Sequence, residues 1–200
     1  MKYTAPAAAA VAALALTLSA CSVPEPEGNV PAGGAASVSG EELLAEHGLD
    51  GIDAEEVIER LDTMPVEERP TGLMASVRPD TLVVSDGQQG QETELDLPEE
   101  RFYLSMAPYV EGTHECHFHS LTTCLGELSD EEIDVTITDD ADDSVLVEET
   151  TRTFDNGFAG YWLPSGIDAT VTVEHDGHTG STQVSTGEDD PTCLTTLELS

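Results

Sequence analysis

The chain is 200 residues long and carries 41 acidic side chains against six lysines and arginines, a formal net charge of −35. Phosphate contacts need clustered lysine and arginine, so charge of this sign excludes a nucleic-acid partner and repels anionic lipid headgroups. It also solvates the surface and raises the local concentration of metal cations.

In chain order, Lys2 is followed by an apolar run to Leu18 and then by Leu18-Ser19-Ala20-Cys21. Residues 1–20 have the parts of a secretory signal. Their end is similar to a bacterial lipobox, which predicts that Cys21 is lipidated and becomes the mature N-terminus. The apolar run is shorter than the ~20 residues of a membrane span, so the predicted membrane contact is through the lipid alone. The expected location is extracytoplasmic, anchored at the outer face of the cell membrane or in the periplasm. Residues 21–38 are rich in Pro, Gly and small side chains without apolar period, and read as a flexible tether.

The remainder is long enough for one domain with a proper core or two small packed units. Residues 39–110 are expected to form an N-terminal α/β region. Ser39 and Glu42 have the spacing of a capping box, starting a short helix that stops at Gly48. Asp53 can cap a second helix with Val57, Ile58 and Leu61 as its apolar stripe and Pro65 beyond its end. From Leu73 the pattern changes to strands: Leu82-Val83-Val84, a turn-rich stretch to Gly90, residues 93–97, then residues 102–107.

Residues 111–200 are expected to form a C-terminal β domain. Residues 133–138 alternate strictly, and residues 145–154 follow an acidic loop that lacks the ligand spacing of a calcium site. Asn156-Gly157 and Asp176-Gly177 each lie between strand-like runs and predict two hairpins. His175 and His178 would meet across the second, a weak surface pair. The predicted fold class is α+β: short N-terminal helices with a small sheet, followed by an antiparallel β-sandwich-like domain.

Residues 114–124 read His-Glu-Cys-His-Phe-His-Ser-Leu-Thr-Thr-Cys, concentrating His114, His117 and His119 with Cys116 and Cys124. Thiolate and imidazole together favour Cu(I), Cu(II) or Zn(II) over harder ions. With Cys21 assigned to lipid, Cys116, Cys124 and Cys193 remain, so one disulfide at most forms within the chain and one thiol is left over. On a straight strand, Cys116 and Cys124 would stand roughly 26 Å apart at ~3.3 Å per residue. The segment must therefore fold back, whether to share a metal or to form a disulfide, and the spacing does not separate these outcomes. In an extended segment His117 and His119 share one face while Cys116 and Phe118 share the other, so the five groups cannot all bind one ion. Phe118 and Leu121 would wall the site, and Met106 offers a thioether or simply core.

The run from Cys116 to Cys124, the preceding Phe102-Tyr-Leu-Ser-Met-Ala-Pro-Tyr109 and the late Cys193 together resemble the CueP-like periplasmic copper-binding proteins. The resemblance covers most of the chain after the tether. It implies an N-terminal α/β part joined to a C-terminal β domain, copper handling outside the cytoplasmic membrane, and metal binding by Cys116, Cys124, Cys193 and His119. His114 and His117 join the candidate ligands from local density. The expected function is capture and buffering of copper as Cu(I), with Cu(II) accepted and reduced at the expense of a disulfide, and zinc as a substitute ion. Delivery to a cuproenzyme or another copper-trafficking protein, and a homodimer, belong to the same expectation. Two readings compete: a disulfide-braced surface module, and a thiol-disulfide oxidoreductase, which would lack the Cys-x-x-Cys pair that lowers a thiol pKa.

Overall fold

A computed structural model of the protein describes residues 40–87 and 90–200, all within one unit. The signal segment, Cys21, the tether and Ser39 lie outside the described residues. Helix α1 (Gly40–Glu46) stops before Gly48, which takes the left-handed φ of +66° that glycine tolerates best. Helix α2 (Ala54–Asp62) begins at Asp53, whose carboxylate accepts the Glu56 backbone N–H at 2.9 Å. Its stripe of Val57, Ile58 and Leu61 is buried. That stripe and Leu43 pack on an antiparallel sheet of β1 (Leu73–Val77), β2 (Thr81–Asp86) and β3 (Gln91–Asp96), which contributes Leu73, Ala75, Val77, Leu82 and Val84.

Strand β4 (Arg101–Met106) leaves this layer and is hydrogen-bonded to later parts of the chain. It pairs antiparallel with β7 (Ala159–Pro164) and parallel with β10 (Cys193–Leu194). A third sheet runs β6-β5-β8-β9, made of β5 (Glu132–Asp139), β6 (Val145–Arg152), β8 (Asp168–His175) and β9 (His178–Ser185), all antiparallel. Alternation turns Ile133, Val135 and Ile137 of β5 and Ala169, Val171 and Val173 of β8 toward Phe102, Leu104 and Met106 of β4. Two sheets thus enclose one core, and the α+β class with a sandwich of mostly antiparallel strands is the observed fold.

Strand β4 is buried on both faces, and period two divides its labour. Phe102, Leu104 and Met106 enter the sandwich core, while Tyr103 joins the helical core and Ser105 faces the same way. Met106 is therefore core and faces away from the cysteines. Across β4, Cys193 pairs with Ser105 and Leu194 with Met106, so Cys193 shares the polar face and Leu194 the apolar one.

Asp176-Gly177 makes the predicted hairpin between β8 and β9, with φ of 47° and 84°. Asn156-Gly157 does not join paired strands, because β6 belongs to the third sheet and β7 to the second. The local turn is present, closed by the Gly157 N–H to the Phe154 carbonyl at 2.8 Å. Strand pairing was decided elsewhere: largely exposed β6 edges the third sheet, whereas Ala159 and Leu163 of β7 enter the core against β4. The acidic loop is the hairpin tip between β5 and β6, with Asp139 and Asp142 carboxylates accepting backbone N–H groups of Ala141 and Ser144.

Candidate metal centre

The segment after β4 has no regular structure beyond isolated bridges at Tyr109 and Ser120, and its backbone is fixed by other parts of the chain. The Val77 N–H donates to the His119 carbonyl at 2.8 Å and the Leu121 N–H to the Ala75 carbonyl at 2.9 Å, attaching residues 119–121 to the edge of β1. A turn follows, in which the Cys124 N–H reaches the Ser120 carbonyl at 3.1 Å and the Ser120 N–H points at Cys124 Sγ at 3.4 Å. This is the fold-back that the cysteine spacing required. The C-terminal segment is held alongside by Cys193 N–H to the His117 carbonyl at 3.2 Å, and by His119 N–H to Thr192 Oγ1 at 3.0 Å.

Three sulfurs meet as a result. Cys116 and Cys193, separated by 77 residues, form a disulfide with Cα atoms 5.7 Å apart. Cys124 is the leftover thiol; it is buried, and its Sγ lies 3.6 Å from that of Cys116. The odd-cysteine arithmetic is thus resolved in favour of Cys116 with Cys193.

His119 has no solvent exposure, and its Nε2–H donates to Asp62 Oδ1 at 2.9 Å. Its other nitrogen, Nδ1, is 3.9 Å from Cys193 Sγ. Asp62 is equally buried and is surrounded by donors: Tyr103 Oη at 2.7 Å and Ser105 Oγ at 3.3 Å on Oδ2, and Asn156 Nδ2 at 2.9 Å on Oδ1. Burial pushes the Asp62 carboxyl up, but the His119 charge and these hydrogen bonds outweigh it and leave the group below its usual range. Burial likewise lowers His119, and the adjacent Asp62 charge overcomes it, raising the imidazole to about 9. Burial raises the Cys124 thiol, while His119 and the Ser120 N–H bring it below its usual value.

Sequence reading missed Asp62, Tyr103 and Asn156. For Asp62 the signal was its place on the buried stripe of α2, one turn beyond Ile58, where a carboxylate needs a partner. Tyr103 and Asn156 carried no such signal. Ring space for Tyr103 comes from Gly160 on β7, where a Cβ would collide with the phenol.

The other candidates divide. His114 is exposed but lies with Cys116 and Cys124 in a group whose donor atoms are all within 4.8 Å of one another. His119, Cys124 and Cys193 form a second such group, entirely buried. His117 is exposed, packs its ring edge-on against Phe118 at 4.5 Å and belongs to neither group. Leu121 is in the helical core, and Phe118 lies under the Arg78 guanidinium. His175 Nδ1 is engaged with the Glu132 carbonyl, and neither it nor His178 enters a group of three donors among the described residues. At bond lengths near ~2.3 Å to sulfur and ~2.0 Å to nitrogen, one ion spans about 4.3 to 4.6 Å between donors, so side-chain shifts of about half an ångström at most bring the three donors of either group onto one ion. The disulfide withholds one thiol from each, so both become complete on reduction.

Among the described residues no helix is long and apolar enough to cross a membrane. Comparison with curated proteins gave no match. Residues 56–198 match the family model described as periplasmic copper-binding protein CueP. A solved structure described as "Crystal Structure of S.CueP" is similar at 38% identity and a TM-score of 0.75, over 81% of this chain and 98% of that one. The match spans β4, the Cys/His segment and Cys193, and the chain belongs to the CueP family.

Proposed function

We propose that the protein captures copper outside the cytoplasmic membrane and buffers it as Cu(I) on Cys116, Cys124, Cys193 and His119. The observation that carries this reading is the convergence of three sulfurs, drawn from two distant parts of the sequence, on a buried imidazole already oriented by Asp62. Soft thiolates select Cu(I), and the imidazole extends the site to Cu(II). A carboxylate behind a ligating histidine fixes its orientation and raises its basicity.

The reduced centre can also reduce its cargo. Two Cu(II) ions take one electron from each of two thiolates, giving two Cu(I) ions and one disulfide, of which the Cys116 to Cys193 bond is the product form. Renewal then requires a dithiol reductant supplying two electrons and two protons. Lipidation of Cys21 would hold the centre near the membrane, and a copper-accepting protein would take the ion onward.

The test is competition for Cu(I) between the reduced chain and a Cu(I) chelator, with X-ray absorption on the copper-loaded protein. Sulfur-dominated coordination that weakens in each of Cys116→Ser, Cys124→Ser and Cys193→Ser is expected. A wild-type chain that gives up copper as readily as these variants sinks the reading and leaves the disulfide-braced module.

A further inference from the structure

The two donor groups share one atom, the Cys124 sulfur, and they differ in access. His114 is exposed and Cys116 half-buried, whereas His119, Cys124 and Cys193 are buried. Fully buried Phe158 packs near both imidazoles, its ring 6.3 Å from that of His114 and 4.6 Å from that of His119.

We propose that His114, Cys116 and Cys124 form a loading position for copper, from which the ion moves to His119, Cys124 and Cys193 without leaving the Cys124 sulfur. This rests on the copper-binding reading above and adds an order to it. His114 borders a surface cavity of about 330 Å³ lined in part by Tyr109, Leu125 and Glu127. The loop carrying His114 is held open to it: the Glu127 carboxylate accepts the Gly112 N–H at 2.7 Å, and Thr113 Oγ1 donates to the Thr195 carbonyl at 2.6 Å. Copper therefore meets His114 and Cys116 before it meets His119.

The step is a ligand exchange. Bonds from copper to the His114 nitrogen and the Cys116 sulfur break as bonds to His119 Nδ1 and the Cys193 sulfur form. Copper remains Cu(I), the thiol proton leaving Cys193 is taken up by Cys116, and the proton that the His119 imidazolium carries on Nδ1 passes to solvent as that nitrogen takes the metal. The direction follows from support: His119 is locked by buried Asp62, while the contact found for His114 is an aromatic edge. Support of that kind is worth about 10- to 100-fold in metal affinity.

The experiment uses the full chain reduced with a phosphine, loaded from a Cu(I)-chelator complex, with the loading rate followed by stopped flow and affinity by equilibrium competition. For His114→Ala, the loss in rate is expected to exceed the loss in affinity by about tenfold or more. For His119→Ala the order reverses, with affinity falling about 10- to 100-fold and more steeply than rate. Equal losses in rate and affinity for His114→Ala would mean a single position and overturn the proposal, as would no change in either. His114 is exposed, so this variant decides the matter even if His119→Ala fails to fold. A wild-type chain that neither loads nor retains copper is a distinct result, and removes the copper reading together with the loading position.

Discussion

Asp62 is a charge fully shielded from solvent, and its four partners come from three parts of the chain: His119 from the Cys/His segment, Tyr103 and Ser105 from β4, Asn156 from the turn before β7. Removing one partner of a buried ion pair costs about 3–5 kcal/mol because the other charge is left unpaired. Asp62→Ala is therefore expected to lower the unfolding free energy by that amount, read as a lower urea midpoint with little change in the slope. Asp62→Asn keeps the volume and loses the charge; copper affinity by chelator competition is expected to fall about 10- to 100-fold. Gly160 matters for the same network. Its absent side chain is filled by Tyr103, whose ring also lies 4.9 Å from that of Trp162. Gly160→Ala is expected to displace the phenol from Asp62 at a cost of about 1–3 kcal/mol, visible as a changed near-ultraviolet dichroism of Tyr103 and Trp162 together with a lower urea midpoint.

At the scale of elements, the centre is a junction of three pieces that do not hold one another by strand pairing alone. The turn at residues 120–124 hangs on β1, β10 hangs on β4, and the Cys116 to Cys193 bond ties the two. Closing a loop of 77 residues removes denatured-state entropy worth about 4.5 kcal/mol in the chain-entropy account. Reduction is expected to lower stability by that order, measured as the difference in urea midpoints with and without a phosphine. Binding of Cu(I) to the reduced form would return part of it, since a ligand that binds only the folded state stabilises it. Strand β4 makes the junction work, because its two buried faces present apolar side chains to the sandwich and hydroxyls to Asp62.

Over the whole molecule, a net charge of −35 acts against compaction. The five arginines beyond Lys2 are all engaged: Arg60 and Arg69 on the carbonyls of Gly48 and Cys124, Arg101 with Glu55 and over Trp162, Arg78 over Phe118, Arg152 on the Asp130 carbonyl. Repulsion among the remaining acidic groups is screened by salt, the Debye length falling from about 30 Å at 0.01 M to about 8 Å at 0.15 M. Thermal midpoints are expected to rise by a few degrees, roughly 2–4 °C per kcal/mol at this size, between those two sodium chloride concentrations. A fall in the midpoint would show that the arginine pairs, which salt also weakens, outweigh the repulsion.

The elements that depend on neighbours along the chain were legible in the sequence. Asp53 capping, the stop at Gly48, the alternation of β5 and β8, and the Asp176-Gly177 hairpin all follow from local dihedral preference and side-chain period. So did the chemistry of residues 114–124 and the need for that segment to fold back. What tertiary structure alone decided is pairing and charge burial. Asn156-Gly157 had a hairpin's local chemistry, yet β6 and β7 went to different sheets, because the burial of their side chains set their partners. Of three cysteines, the pair that bonded is the one brought together by β10 lying parallel to β4, a contact between segments far apart in sequence. Asp62 read as one more carboxylate among 41 acidic residues until the fold removed its water and set His119 against it. Desolvation depends on everything packed around a group, and no short stretch of sequence contains that information.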